Sequence, residues 1–306
     1  MKIEQKHRKR EKTFDVIIVG NLSVDKNIWP KGQIENALGG APTYSGSTFI
    51  SLGRKTGIFS TVGRDRFSEV LRFCRSKNID TAGLLVSKQE TMIFQNSYNQ
   101  DGTRKQKCFN KAHELFVKDI PKNYMDSEAF YVSPLAGEVD EELLKGLKRK
   151  GSILMLDPQG LMRIIGKKGD VDIVLDKNML ERIFRLVDIV KIGKDEFNAF
   201  DMDENEIFDM LEKTGVGIAI ITKGKEPVTI SHRGILFEIR TLNVEVEDPT
   251  GAGDVFGAAF LSEYMTGFDV KEAAKFAATA AGLKIKYKGP SGFPSKEDII
   301  KHLTLN

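Results

Sequence analysis

With 306 residues, 41% of them hydrophobic and 29% charged, the chain can bury one large core, or a main domain with a small appendage. No apolar run approaches the roughly 18 residues a membrane span needs, and the opening Met-Lys-Ile-Glu-Gln-Lys-His-Arg-Lys-Arg lacks the apolar middle of a signal peptide, so a cytoplasmic protein with no membrane partner is expected. Residues 1–12 carry six Lys/Arg against two Glu, a net +4 within an overall +3, which leaves −1 for the rest; the globular part is not basic, and no nucleic-acid partner is expected.

The basic tail, residues 1–12, reads as a disordered, solvated extension, with polyanion binding as the alternative. The cysteines, Cys74 and Cys108, form no Cys-x-x-Cys or Cys/His cluster, so structural zinc is not expected and both read as buried or incidental thiols. From Phe14 the run Phe-Asp-Val-Ile-Ile-Val-Gly20 predicts the first, central strand of a parallel sheet. Asn21-Leu-Ser-Val-Asp25 follows it, where a dinucleotide fold would place Gly-x-Gly-x-x-Gly. Asp25 stands beyond a strand's carboxyl end, where open α/β sheets bind ligands, and reads as a loop cap or as an acceptor of ligand hydroxyls. Asn27–Ala37 is a polar, extended linker. Leu38-Gly39-Gly40-Ala41-Pro42 opens a helix that runs to Leu52, with two glycines that allow close approach of a ligand. Thr56–Gly63 predicts a second strand and Phe67–Ser76 a helix. Thr91–Tyr98 and Thr103–Cys108 flank Asn99-Gln-Asp101-Gly102, a hairpin signal.

From Ala129 the text alternates: strand Ala129–Val132, helix Asp140–Lys150, strand Ser152–Leu156, strand Val187–Ile192, strand Val216–Ile221, and an antiparallel edge pair Val228–Ile230 with Ile235–Ile239. Gln159 and Arg163, just past the strand ending at Leu156, read as a polar strand end with a surface arginine, or as a pair able to bind an array of hydroxyls. Thr222-Lys223-Gly224-Lys225 reads alone as a lysine-rich turn. Thr241–Val246 is extended, and Asp248-Pro249-Thr250-Gly251-Ala252-Gly253-Asp254-Val255-Phe256 turns into a helix from about Ala252. Its glycine turn leaves several N–H groups unpaired at the positive end of the helix dipole, an anion site. Asp254 in the same first turn can accept a proton from a hydroxyl while those amides hold the phosphoryl group that the hydroxyl attacks. Asp269 with Glu272 predicts a helix cap, and Ala273, Ala274, Ala277, Ala278, Ala280 and Ala281 a small-residue helix.

Asp-Pro-Thr-Gly-Ala-Gly-Asp-Val-Phe resembles the C-terminal signature of the ribokinase-like (PfkB) kinases, and Leu38–Thr43 with Val62-Gly-Arg-Asp65 resembles their N-terminal half; the likeness spans about residues 14 to 302. It implies a three-layer α/β/α fold with a central, mainly parallel sheet, a single domain 13–306, and a small β-sheet lid built from about residues 22–38 and 91–110. It further implies Asp254 as catalytic base with Gly251, Ala252 and Gly253 as anion hole. Asp25, Gly39, Gly40, Gln159 and Arg163 would contact the acceptor. Thr222, Lys223, Gly224 and the loop at Gly289 would contact ATP, and Glu196, with Asp195 second, would serve Mg²⁺. Gly193 departs from the family's Asn, and Pro227 from a common glycine. Asp157-x-Gln159-x-x-x-Arg163 and Ser133-Pro-Leu-Ala136 are similar to the archaeal and plant inositol-kinase branch. The resemblance thus implies transfer of the ATP γ-phosphoryl group to a polyol or sugar, myo-inositol first, by a monomer or homodimer. A nucleoside or simple-sugar kinase is the alternative, and a non-catalytic sugar-sensing or scaffold protein the alternative of another class.

Overall fold

The computed structural model describes residues 12–30, 34–100, 104–110, 113–267 and 269–305; most of the basic tail, and Asp101-Gly102 of the expected hairpin turn, lie outside them. Val16–Val19 (β1) is four β-branched residues, all buried. Val16 and Ile18 enter one apolar cluster and Ile17 and Val19 another, because successive strand side chains point to opposite faces. A strand buried on both faces needs helices on both sides of its sheet.

The chain supplies them in order: β2 (Ser23–Ile28), β3 (Ile34–Gly39), α1 (Ala41–Ser51), β4 (Thr56–Gly63), α2 (Phe67–Ser76), β5 (Asp80–Ser87), β6 (Met92–Tyr98) and β7 (Arg104–Phe109) make up the first third. Then come β8 (Ala129–Val132), α3 (Glu141–Leu147), β9 (Ile153–Leu156), α4 (Gln159–Met162), β10 (Arg163–Ile165), β11 (Val171–Ile173), α5 (Lys177–Phe184), β12 (Ile189–Ile192), α6 (Lys194–Phe197) and α7 (Glu204–Thr214). The last part holds β13 (Ile218–Ile221), β14 (Val228–His232), β15 (Ile235–Ile239), α8 (Ala252–Met265), α9 (Val270–Lys284) and α10 (Lys296–Leu305).

The main sheet runs β15-β14-β13-β12-β9-β8-β1-β4-β5, parallel from β13 through β5 and antiparallel at the β13-β14-β15 edge. Core residues of α1, α2, α8, α9 and α10 share one cluster, those of α3, α5 and α7 the other, which gives the three layers. Carboxylate caps start four of the helices: Asp140, Asp176, Asp203 and Asp269 each accept from the backbone three residues on, and the Asp269 cap is the one expected. Both thiols are buried. No helix among the described residues is long and apolar enough to cross a membrane.

Several expectations change. β1 is interior, third from the β5 edge, and not central. Of the supposed linker Asn27–Ala37, Asn27 and Ile28 belong instead to β2 and Ile34–Ala37 to β3, paired antiparallel from Ser23↔Gly39 to Ile28↔Ile34, while residues 31–33 lie outside the described residues. With β6 and β7 they make a second, four-stranded sheet in the order β3-β2-β6-β7. Its strands are polar because the sheet is only partly covered. Thr241–Val246 forms no strand and pairs with none among the described residues. The half-buried edge strand β5 and the short β10–β11 hairpin carry no continuous apolar run and went unpredicted.

Candidate active site

The turn before α8 is shaped by what surrounds it. Gly251 has φ 76°, a left-handed conformation that favours glycine, and a Cβ there would lie inside the Tyr44 ring. Past it α8 begins, so amides of its first turn have no partner within the helix. Ala252 is an exception to the expected trio, because its N–H bonds back to the Pro249 carbonyl at 3.1 Å. The N–H groups of Gly251, Gly253 and Asp254 have no partner among the described residues. The amides left free in this turn are therefore those of Gly251, Gly253 and Asp254, and not that of Ala252.

Asp254 is half-buried in this first turn. Burial, then the negative charge of Asp157, pushes its carboxyl up to about 7, against the opposing Lys191 and Arg163. The Ser133 hydroxyl donates to Asp254 Oδ1 at 3.5 Å. Gln159 Nε2 donates to Ser133 Oγ at 3.0 Å, and Arg163 Nη2 to Gln159 Oε1 at 2.8 Å. Thus Gln159 and Arg163, at the start and end of the α4 turn, are brought to Asp254 in one hydrogen-bonded chain. Arg163 Nη1 also donates to the Leu135 carbonyl at 3.2 Å, while its Nε is buried without a partner. The loop carrying Ser133 and Leu135 is held by Glu138, a buried carboxylate that accepts from the amides of Asn21, Leu135 and Ala136 at 2.7–2.9 Å.

Lys191 on β12 was not anticipated. Its ammonium meets Asp157 at 2.6 Å, with both side chains at most 5% exposed, and a Cβ at Gly253 would lie 3.4 Å from it. Burial alone would lower the ammonium, but the Asp157 carboxylate holds it above its usual value. A lysine inside an apolar strand must be paired; that rule is the signal by which the sequence could have revealed it. Glu196 is buried nearby, its carboxyl raised by burial and opposed by Arg163. A Cβ at Gly193 would approach Glu196 Oε2 to 2.6 Å, so glycine in place of asparagine makes room for that carboxylate. No group of three or more metal-capable side chains occurs among the described residues.

The glycines at 39 and 40 answer to the protein itself. A Cβ at Gly39 would fall on the Asp25 carboxylate and one at Gly40 on the Asn21 carbonyl. Asp25, on β2 and not in a loop, accepts from Ser23 Oγ at 3.0 Å. Gly39→Ala should therefore displace Asp25. A shift on the order of 1 Å costs about 10²-fold in kcat/KM for the acceptor, and steady-state kinetics with parental melting behaviour would check it.

Across the turn lies a cleft of about 680 Å³, lined by Thr222, Gly224, Val228, Leu242, Phe256 and Ala281 among others. Two expected contacts fall elsewhere. Lys223 turns away, its ammonium paired with Glu204 at the start of α7, and Lys225 lines the cleft in its stead. Gly289 sits beneath the turn, donating its N–H to Asp248 Oδ2 at 2.8 Å. The small residues of α9 serve packing as well as the cleft: a Cβ at Gly282 would come within 2.6 Å of Leu242. The small sheet reaches the turn through Tyr98, whose hydroxyl lies 3.2 Å from Thr250 Oγ1 and whose ring stacks on Trp29 at 4.4 Å.

Residues 15–297 match the pfkB family carbohydrate kinase family. The chain belongs to that family. This kinase is a phosphotransferase with an alcohol group as acceptor, of the sugar and nucleoside kinases that share the ribokinase fold. It is 26% identical over 268 residues to the cytidine kinase of Thermococcus kodakarensis, covering 86% of this chain and 92% of that one. A pyrophosphate-dependent kinase of the ribokinase family, complexed with a pyrophosphate analog and myo-inositol, superposes with a TM-score of 0.79 at 24% identity, over 94% of this kinase and 99% of that chain. A putative Ribokinase II from E. coli in complex with ATP and Mg²⁺ superposes at 0.78 and 22%, over 95% and 99%. At such identities the superpositions speak for the fold.

Proposed function

We propose that this kinase transfers the γ-phosphoryl group of ATP to a hydroxyl of a small polyol, with myo-inositol the first candidate. The observation that carries the polyol reading is the chain Arg163–Gln159–Ser133–Asp254, which sets a hydroxyl-reading pair beside the base. The buried, unpartnered Arg163 Nε supports it, since a ligand oxygen would satisfy that donor. The apolar lining of the cleft, with Val228, Leu242 and Phe256, favours a donor with a purine base over bare pyrophosphate.

Asp254 takes the proton of the attacking hydroxyl as its oxygen bonds to the γ-phosphorus. The bond from that phosphorus to the β,γ-bridging oxygen breaks, and ADP leaves. The Gly251, Gly253 and Asp254 amides hold the oxygens of the transferring group. Mg²⁺ held near Glu196 would neutralise phosphate charge. Asp25 positions the acceptor, and the small sheet serves as its lid, keeping water from competing for the phosphoryl group. Residues 13–306 act as one domain.

Only ionised Asp254 can accept the proton, so kcat/KM should climb with pH through about 7 and level off above it. A profile flat from pH 5.5 to 8.5 would remove Asp254 from the role of base. The likeness to a cytidine kinase favours a second reading, a nucleoside acceptor. ADP or phosphate release would be followed with Mg·ATP and with pyrophosphate over myo-inositol, ribose, fructose, adenosine, cytidine and guanosine. Turnover of myo-inositol with ATP alone is expected; turnover of nucleosides only, or with pyrophosphate only, would overturn the acceptor or the donor assignment respectively.

A further inference from the structure

A second fully buried lysine, Lys284 at the end of α9, plays no part in the chemistry above. Its ammonium donates to the Thr250 carbonyl at 3.1 Å and to the Tyr287 carbonyl at 3.2 Å, and stands 5.4 Å from the centre of the Tyr44 ring. No carboxylate among the described residues lies within ion-pair distance of it. An unpaired ammonium buried in a protein interior is costly, and burial lowers this one's pKa, opposed by the charge of Asp248. Asp248 in turn accepts from the Thr250 and Gly289 amides at 2.9 and 2.8 Å, and the Ile285 carbonyl accepts from the Glu247 and Asp248 amides. Two carbonyls, an aromatic face and a nearby carboxylate thus surround one positive charge directly behind the glycine turn.

The peptide unit joining Thr250 to Gly251 is planar and trans, so its C=O and N–H point in opposite directions. Whatever fixes the Thr250 oxygen fixes the Gly251 N–H, one of the unpartnered amides of the anion hole. The Gly251 ring contact with Tyr44, itself under the ammonium, limits the remaining rotation. We propose that Lys284 is a positioning residue that acts as a tethered monovalent cation: it grips the Thr250 carbonyl from behind and thereby aims the Gly251 N–H at the transferring phosphoryl group. This rests on the anion-hole reading above. It predicts that removing the ammonium leaves a pocket of oxygens suited to a small free cation, a behaviour that lost packing alone would not produce.

Turnover would be measured at constant ionic strength in tetramethylammonium chloride, then with ammonium or methylammonium replacing it. The parental kinase should be indifferent to the exchange. Lys284→Ala should lose at least about tenfold in kcat, toward the 10²-fold that removing one such donor costs, and recover saturably with ammonium. Lys284→Met, whose stem fills the same space without charge, should be as slow and gain nothing. Parental turnover that rises saturably with ammonium, Lys284→Met at parental rate, or a folded Lys284→Ala blind to ammonium would each overturn the proposal. Should Lys284→Ala not fold, the parental and Lys284→Met arms decide alone. Should the parental kinase turn over none of the acceptors, the functional reading fails by itself. Melting of Lys284→Ala then decides, since a saturable rise in Tm with ammonium but not tetramethylammonium supports the cation pocket, and no rise overturns it.

Discussion

Asp254→Asn should lower kcat by about 10²- to 10⁴-fold, the range of general-base contributions, with ATP affinity kept. The amides proposed to hold the transferring group belong to the backbone and are untouched by the exchange. The same substitution should make the protein more stable at alkaline pH. Asp254 has a folded-state pKa of about 7 against an ordinary 3.8, so the folded chain holds a proton that the unfolded chain has released. Stability therefore falls as pH rises from about 4 to about 7, and an uncharged asparagine escapes that loss. A shift of this size corresponds to a few kcal/mol, at about 1.4 kcal/mol per unit. Thermal melting at pH 8 should show the variant above the parent, with the gap closing near pH 4. Near-parental turnover would remove Asp254 as base; equal melting at pH 8 would deny that its carboxylate is strained by burial and by Asp157.

Lys191→Met should be the most damaging substitution for folding near the site. It strands the buried Asp157 carboxylate, and breaking such a pair from one side costs about 3–5 kcal/mol. The rate profile should move too. Lys191 is the main charge holding the Asp254 pKa down, so its loss should push the rising limb above pH 7. The double variant Lys191→Met with Asp157→Leu, which removes both charges, should regain most of the stability. Denaturant melts of the three proteins measure this, and a single variant as stable as the parent would mean that the pair does not carry the charge balance of the site.

What the sequence discloses follows from how each residue is used. The run from Asp248 to Phe256 is legible because its glycines and proline mark a turn and its apolar residues a helix, and both are where the structure has them. The parallel strands are legible because burial on both faces leaves continuous apolar runs, as at Val16–Val19 and Ile218–Ile221. β2 and β3 are not, since a sheet partly open to solvent needs no such run. Lys191 and Lys284 give no signal by residue type, because lysine is almost always a surface residue; only their places, one inside a β-strand and one in an alanine-rich helix, set them apart. The direction in which Lys223 points is set by its pairing with Glu204, 19 residues earlier, and periodicity holds no trace of that choice. Ala252 was counted among the free amides because a motif fixes neighbours but not which carbonyl a turn takes back.

The stack of Trp29 on Tyr98 gives the protein an optical probe of its own. Trp29 is the only tryptophan in 306 residues, its ring plane lies within 10° of that of Tyr98, and the Tyr98 hydroxyl touches Thr250 in the turn before Asp254. Indole emission from the unlabelled chain therefore originates at the junction between the small sheet and the glycine turn before α8. A change in how that sheet rests on the turn alters the stack, and with it the colour and yield of the emission. Stopped-flow mixing with either substrate can then time the two arrivals separately, without a dye or an added tryptophan.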